Sequence, residues 1–222
     1  MGTEMSRILI PSKGVESWQS LLADPDKQWR EGYSAMAVAR SWEAAHGIPF
    51  EIASLFEADA ELLLAIPEHK VILPGNGRAS QCDVFALIRA SDGNIAMTVE
   101  AKVNEPFGPT IGEWLGAGGA NRVERLSGLC ALLGLAAEPE PALRYQLFHR
   151  SAAAVIEARR FSVPHAAMVV QSFSAKNAWF EDFHVFCRLL GLELGPGTAE
   201  TTTLPDGMRL TLAWAIGAPA LG

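Results

Sequence analysis

The chain has 222 residues, with 25 acidic against 18 basic ones, for a formal charge of -7 with histidine neutral. Hydrophobic residues make up 49% and charged residues 19%, a balance that excludes disorder for most of the chain and suits one compact domain. The acidic sum argues against a broad basic surface for nucleic acid and leaves only a local one open.

In chain order, residues 6–11 read as a short strand or extended lead-in, and residues 15–22 as a short helix. Asp24-Pro25-Asp26 looks like a helix start, with the helix running through Trp29, Tyr33, Met36, Ala39 and Trp42 to a Gly47 cap and the Pro49 stop. Residues 50–65 carry Ile52, Leu55, Phe56, Ala60 and Leu63 near helical spacing, which predicts a second helix closed by Pro67. Residues 71–73 suggest a short strand before the turn-rich Pro74-Gly75-Asn76-Gly77.

Residues 82–89 and 94–103 are strand candidates separated by Ser91-Asp92-Gly93-Asn94, a strong hairpin signal. With Asp92-Gly93 as the loop, Phe85 pairs with Glu100 and Asp83 with Lys102. Opposed residues share a face, as do residues two apart on one strand. Asp83, Glu100 and Lys102 therefore fall on one face, together with Phe85, Leu87, Ala96 and Thr98. Ile95, Met97, Val99, Ala101 and Val103 form a buried pattern on the other. Charges on one strand face are also what a solvated surface carries, but Phe85 and Leu87 beside them predict a partly covered face, where charges need partners.

Residues 104–119 read as a loop-rich flap. Helices are predicted over 121–135, 142–160 and 178–190, and strands over 166–171 and 208–216. Helices, a hairpin, then helix, strand, helix, strand make an α/β layout around a mixed central sheet flanked by helices. Cys82, Cys130 and Cys187 are odd in number and far apart, which suggests buried, reduced thiols and a cytoplasmic protein. No apolar run approaches the ~20 residues needed to span a bilayer. The five histidines form no HxH or HExxH pattern, so zinc is not expected. Neither Gly75-Asn76-Gly77 nor Gly116-Ala117-Gly118-Gly119 fits a P-loop; both read as turns. Trp29 and Trp42 are expected in the core, Trp114 and Trp179 nearer the surface.

Two carboxylates and an ammonium on adjacent strands can hold Mg²⁺ or Mn²⁺ and act on a phosphodiester. Asp83, followed after sixteen residues by Glu100-Ala101-Lys102, resembles the D…(D/E)xK signature of the PD-(D/E)XK nuclease-like superfamily. The chain as a whole resembles an uncharacterised bacterial family within it, down to the helix that begins Arg144-Tyr145-Gln146. The resemblance implies a restriction-endonuclease-like core in a single domain over 1–222, with 1–27 as an N-terminal extension and 172–222 as a C-terminal elaboration. It implies Asp83, Glu100 and Lys102 as catalytic residues. Asp83, Glu100, the Ala101 carbonyl and an acid on the first core helix would hold the metal. Glu43 is the choice for that acid, with Glu51 and Glu61 as rivals. Arg144, Gln146 and Arg150, with His149, are candidates for substrate phosphate. The usual proline before the Asp is absent, replaced by Gln81-Cys82.

The leading expectation is a Mg²⁺-dependent phosphodiesterase acting on DNA or RNA. One alternative is a catalytically inactive nuclease-like binding or assembly module. Another is an α/β interaction protein with no active site, whose apolar surface serves a homodimer or protein partner.

Overall fold

A computed structural model describes residues 12–56, 60–136 and 138–219. The lead-in over 6–11 lies outside the described residues. The architecture is a six-stranded mixed sheet with helices on both faces, as expected.

A 3-10 helix, Val15–Leu21, leads in. The single helix predicted from Asp24 is instead two, α1 (Pro25–Gln28) and α2 (Ser34–Ala45). Gly32, at φ 78°, breaks the run between them. The left-handed cap of α2 is His46 rather than Gly47.

The larger correction concerns residues 50–65. Only α3 (Phe50–Ala53) is helical, and Glu61–Val71 is an edge strand, β1. Leucine-rich runs suit either state, and here pairing with the next strand decides. Pro67 lies inside β1, which an edge strand tolerates because one side of it needs no ladder bonds.

β2 (Ser80–Ala90) and β3 (Gly93–Lys102) form the expected hairpin. Its loop is Ser91-Asp92, and Gly93, at φ 126°, already pairs with Ala90. Phe85 therefore sits opposite Thr98 rather than Glu100. The register is two residues off the expected one, and two residues preserve side-chain parity. The faces of the paired residues survive for that reason, while Asp83 lies beyond the ladder.

After β3 come α4 (Ile111–Gly116), α5 (Ala120–Leu132) and α6 (Tyr145–Arg160). A capping box between Thr110 and Glu113 starts α4 inside the stretch expected to be loop. α6 packs on β3 and on β4 (His165–Ser172), which run parallel, while α5 packs on α6. So α6 is the crossover helix and α4–α5 an excursion. α7 (Phe180–Leu189), β5 (Ala199–Thr203) and β6 (Arg209–Ile216) complete the chain. β5 is an element the sequence pattern did not suggest.

The strand order is β1-β2-β3-β4-β6-β5. β4 is buried along its whole length, as a central parallel strand covered on both faces must be. Phe85, Phe148, Met168, Phe183 and Trp214 pack on the α6 side; Trp18, Trp42, Ile52, Met97 and Val169 pack on the α2 side. The three cysteines are free and buried. Among the described residues no helix is long and apolar enough to cross a membrane.

Candidate active site

The site begins with a break in strand alternation. Ile66 and Phe85, paired across β1 and β2, pack on the α6 side. Three positions further out, His69 stacks near Phe85, and its partner Cys82 packs against Ala153 of α6. Strict alternation would send His69 and Cys82 to the opposite face. The phase therefore slips by one residue on both strands, at Glu68 and Asp83, while the register is kept. Glu68 takes up a left-handed φ of 51° to do it. Here β2 also leaves β3: the ladder ends at Val84 opposite Val99, and the Ala101 N–H donates to Asp83 Oδ2 at 2.6 Å instead of to backbone.

The residues at this junction line a cleft of about 610 Å³ with Glu68, Asp83, Glu100, Lys102, Gln146 and Arg150 on its wall. Glu100 is 3% exposed. Its Oε1 accepts from Lys102 Nζ at 2.5 Å and from Gln146 Nε2 at 2.8 Å, and its Oε2 accepts from Arg150 Nε at 2.5 Å. Gln146 and Arg150 are one turn apart on α6, so both reach the same carboxylate. Arg150 Nη1 also donates to Ser80 Oγ at 2.7 Å, which lies 2.9 Å from His149 Nδ1. Thr98 donates to the Arg150 carbonyl and ties α6 to β3. Lys102 Nζ sits 5.2 Å from the centre of the Phe107 ring.

A fourth acid on the wall, Glu105, accepts from the Ser34, Val103 and Asn104 N–H groups; electrostatics divide the other three. Burial pushes the Glu100 carboxyl up, but the Arg150 and Lys102 charges and bonds outweigh it and hold the group at about 2. Asp83 is pushed up to about 7 by burial and then by the charge of Glu100. Glu68 is pushed up to about 9 by burial and then by Asp83, although Gln81 donates to it at 2.9 Å. Burial, then the neighbouring Arg150 charge, lowers His149 well below its ordinary value, so its ring is neutral. Glu100 is a countered anion; for Asp83 and Glu68 the charges of Arg150 and, for Asp83, Lys102 do not offset burial and the neighbouring acids.

The hairpin and α6 thus bring together Asp83, Glu100, Lys102, Gln146 and Arg150. Gln146 and Arg150 hold Glu100 rather than project toward a phosphate. Arg144 is engaged elsewhere, donating to Asp182 at 2.8 Å and to the Gly108 carbonyl at 2.9 Å. Glu43 is not on the cleft wall; it accepts from Trp18 Nε1 at 2.7 Å and from Ser12. Of its rivals, Glu51 accepts from Gln171 at 2.6 Å and Ser41 at 3.0 Å, and Glu61 of β1 pairs with Arg89 of β2. The acid that neighbouring β1 brings to the cleft wall is Glu68. Sequence pattern misses it because the helix predicted over 50–65 ends at Pro67 and the next strand over 71–73 begins later, which leaves Glu68 in no element; once β1 is known to pair with β2, Glu68 falls opposite Asp83.

Among the described residues no group of three or more His, Cys, Asp and Glu side chains is arranged to hold a metal ion. The donor chemistry nonetheless fits a hard cation at one place. Asp83 and Glu68 are oxygen donors whose ionised forms are disfavoured by burial and by each other, a penalty that Mg²⁺ or Mn²⁺ would offset. Glu100 has both oxygens engaged, Oε1 by Lys102 and Gln146 and Oε2 by Arg150 alone, so Oε2 is the atom that could join such a site.

A family model described as Domain of unknown function (DUF6946) matches residues 11–219. The chain belongs to this family. No curated protein and no solved structure matches it. The match to DUF6946 includes every residue of the cleft and both strands that follow α7, so the cleft and the complete sheet lie within the family's domain.

Proposed function

We propose that this DUF6946 domain is a Mg²⁺- or Mn²⁺-dependent phosphodiesterase acting on DNA or RNA, built on a restriction-endonuclease-like core. The observation that carries the reading is the convergence of Asp83, Glu100 and Lys102 at the point where β2 and β3 part, in a cleft walled by the crossover helix. The order of α2, three antiparallel strands, α6 and the parallel β4 supports the same core.

Asp83 and Glu68 would hold the cation. When bound, the metal supplies Lewis-acid polarisation of the phosphodiester and lowers the pKa of a water. Glu100 fixes the Lys102 ammonium in the cleft, where it neutralises charge growing on the phosphate oxygens. Arg150 keeps Glu100 ionised, and so keeps its grip on Lys102.

The test is incubation with linear, circular and single-stranded DNA, and with RNA, in Mg²⁺ or Mn²⁺. Asp83→Ala and Lys102→Ala each lower the rate by about a hundredfold or more. Cleavage at the wild-type rate in both variants sinks the mechanism. The full pairing of Glu100 favours a second reading, a nuclease-like domain that binds without cutting. Retention of substrate on a native gel with no product in any metal selects it.

A further inference from the structure

A second cleft, of about 670 Å³, adjoins the first and shares Tyr145 and His149 with it. Its wall carries Arg78, Arg122 and Arg125, and among the described residues no carboxylate lines it. That is a notable concentration of charge in a chain whose formal charge is -7.

The three arginines are held in different ways. Arg125 is 6% exposed and donates to the Arg78 carbonyl at 2.7 Å, yet its Nε is buried with no hydrogen-bond partner. A buried guanidinium donor without an acceptor is costly unless a ligand supplies one. Arg122 is anchored by a bond to the Trp114 carbonyl and lies over the Trp114 ring, 5.4 Å from its centre. Trp114 in turn stacks on Tyr145 at 3.8 Å, so the indole is engaged by both Arg122 and Tyr145. The aromatic pair therefore serves to position Arg122 and is not a free platform for a base. Arg78 is exposed, on the loop after β1.

The backbone is arranged to the same end. The 13-residue α5 begins at Ala120 with Gly119 as its N-cap, so no side chain caps its first turn. Gly118 and Gly119, at φ 91° and 111°, bring the chain to that end of the helix and line the cleft. An uncapped helix start with positive dipole suits an anion. Gly77 is tight against the same guanidinium: a Cβ there would lie 2.9 Å from Arg125 Nη2. His149 adds no charge, since it is neutral here.

We infer that this cleft is a phosphoryl-binding site formed by Arg78, Arg122, Arg125 and the start of α5, and that it takes a phosphate of a nucleic-acid strand flanking the one in the carboxylate cleft. The phosphoryl site stands on its own geometry; the assignment to a strand cut at Asp83 rests on the phosphodiesterase reading. One strand can then enter both clefts across the Tyr145–His149 wall. It also resolves how an acidic protein holds a polyanion, through a local pocket and not a broad basic face.

The experiment is fluorescence anisotropy of the intact protein with a labelled single-stranded oligonucleotide in EDTA, where no metal-dependent cleavage occurs. Inorganic phosphate and unlabelled duplex serve as competitors. Arg78→Ala and Arg122→Ala each weaken binding by about tenfold, and each flattens the dependence of log K on log salt by about one unit. Arg125 is left intact because its burial makes it part of the fold, and exposed Arg78 is the variant whose folding is not in question. Competition by inorganic phosphate assigns the site to a single phosphoryl group; competition by oligonucleotide alone assigns it to a strand phosphate. Wild-type protein that binds neither probe, or variants that bind as well as wild type with unchanged salt slope, overturns the proposal. Binding that needs Arg78 and Arg122 without cleavage in any metal leaves the phosphoryl site standing and removes the phosphodiesterase. Cleavage that needs Asp83 but is indifferent to both arginines does the reverse.

Discussion

Replacing Arg150 by methionine isolates the interaction on which the cleft depends. The change keeps the aliphatic stem of a residue buried on α6 and removes the guanidinium from Glu100 and Ser80. Glu100, at 3% exposure, is then left with Lys102 and Gln146. Removing one member of a buried ion pair costs about 3–5 kcal/mol. The ammonium that remains sets the expected loss near the lower end, about 3 kcal/mol. Equilibrium urea unfolding near pH 7 measures it. The sign of the pH dependence follows from Glu100, held at about 2 against an ordinary value of 4.5. A depressed carboxyl stabilises the fold fully above its unfolded value and loses that contribution as pH falls toward the folded one. The gap between wild type and Arg150→Met therefore narrows as pH falls through that window. In a double-mutant cycle, Glu100→Gln with Arg150→Met loses less than the sum of the single changes by about 2 kcal/mol. A single-variant loss under about 0.5 kcal/mol, or a cycle that closes additively, refutes the account of Glu100 as an anion held by Arg150.

Asp83→Asn acts in the opposite direction. The raised Asp83 carboxyl, at about 7 against 3.8, penalises the fold increasingly as pH rises between those values. The amide keeps an oxygen for the Ala101 N–H, so the variant is more stable than wild type near pH 8 by about 1–2 kcal/mol, and the difference vanishes near pH 4; thermal melts across pH check both ends. The two acids outside the hairpin are separated by activity: Glu68→Gln lowers Mg²⁺-dependent cleavage about tenfold or more, while Glu43→Gln, which keeps the acceptor for Trp18, stays within about twofold of wild type. Equal losses in both would return the metal-binding acid to α2.

The sheet centre was legible because its signals are local and mutually consistent. Alternation over residues 94–103, the Asp-Gly turn and the Ala-rich α6 each point to one state, and packing agrees. The hairpin register was misread by two residues, yet the paired residues kept their faces, since an even error does not move a side chain across the sheet; Asp83 lies beyond the ladder and meets Glu100 and Lys102 in the cleft at the slip. The edges were harder. β1 has leucines, a proline and two carboxylates, a composition that becomes a strand only through its neighbour, and β5 is five residues with no buried position. Arg150 was legible as a neighbour of the site on the i, i+4 spacing from Gln146, but not as the cation that holds Glu100. That role depends on how closely α6 sits on β3, which no local pattern encodes.

The phase slip at Glu68 and Asp83 explains why the carboxylates gather where they do. Had β1 and β2 alternated without a break, the residues of the α6 face would keep one parity along each strand, and Cys82 and His69 would point toward α2. The slip keeps both strands covered by α6 along their length and leaves Glu68 and Asp83 at the point of irregularity. There the β2–β3 ladder stops and the Ala101 N–H becomes available to a side chain. A regular ladder would consume that donor and close the cleft from below. The left-handed Glu68 backbone and the two under-compensated carboxylates both work against stability, by about 1–3 kcal/mol for a backbone position of this kind. Asp83 satisfies the Ala101 N–H and Glu68 accepts from Gln81, and a cation bound between the two acids would relieve the charge that these bonds leave. The local irregularity and the electrostatic deficit thus fall on the same two residues, and that coincidence ties the fold to the proposed chemistry more closely than the motif spacing does.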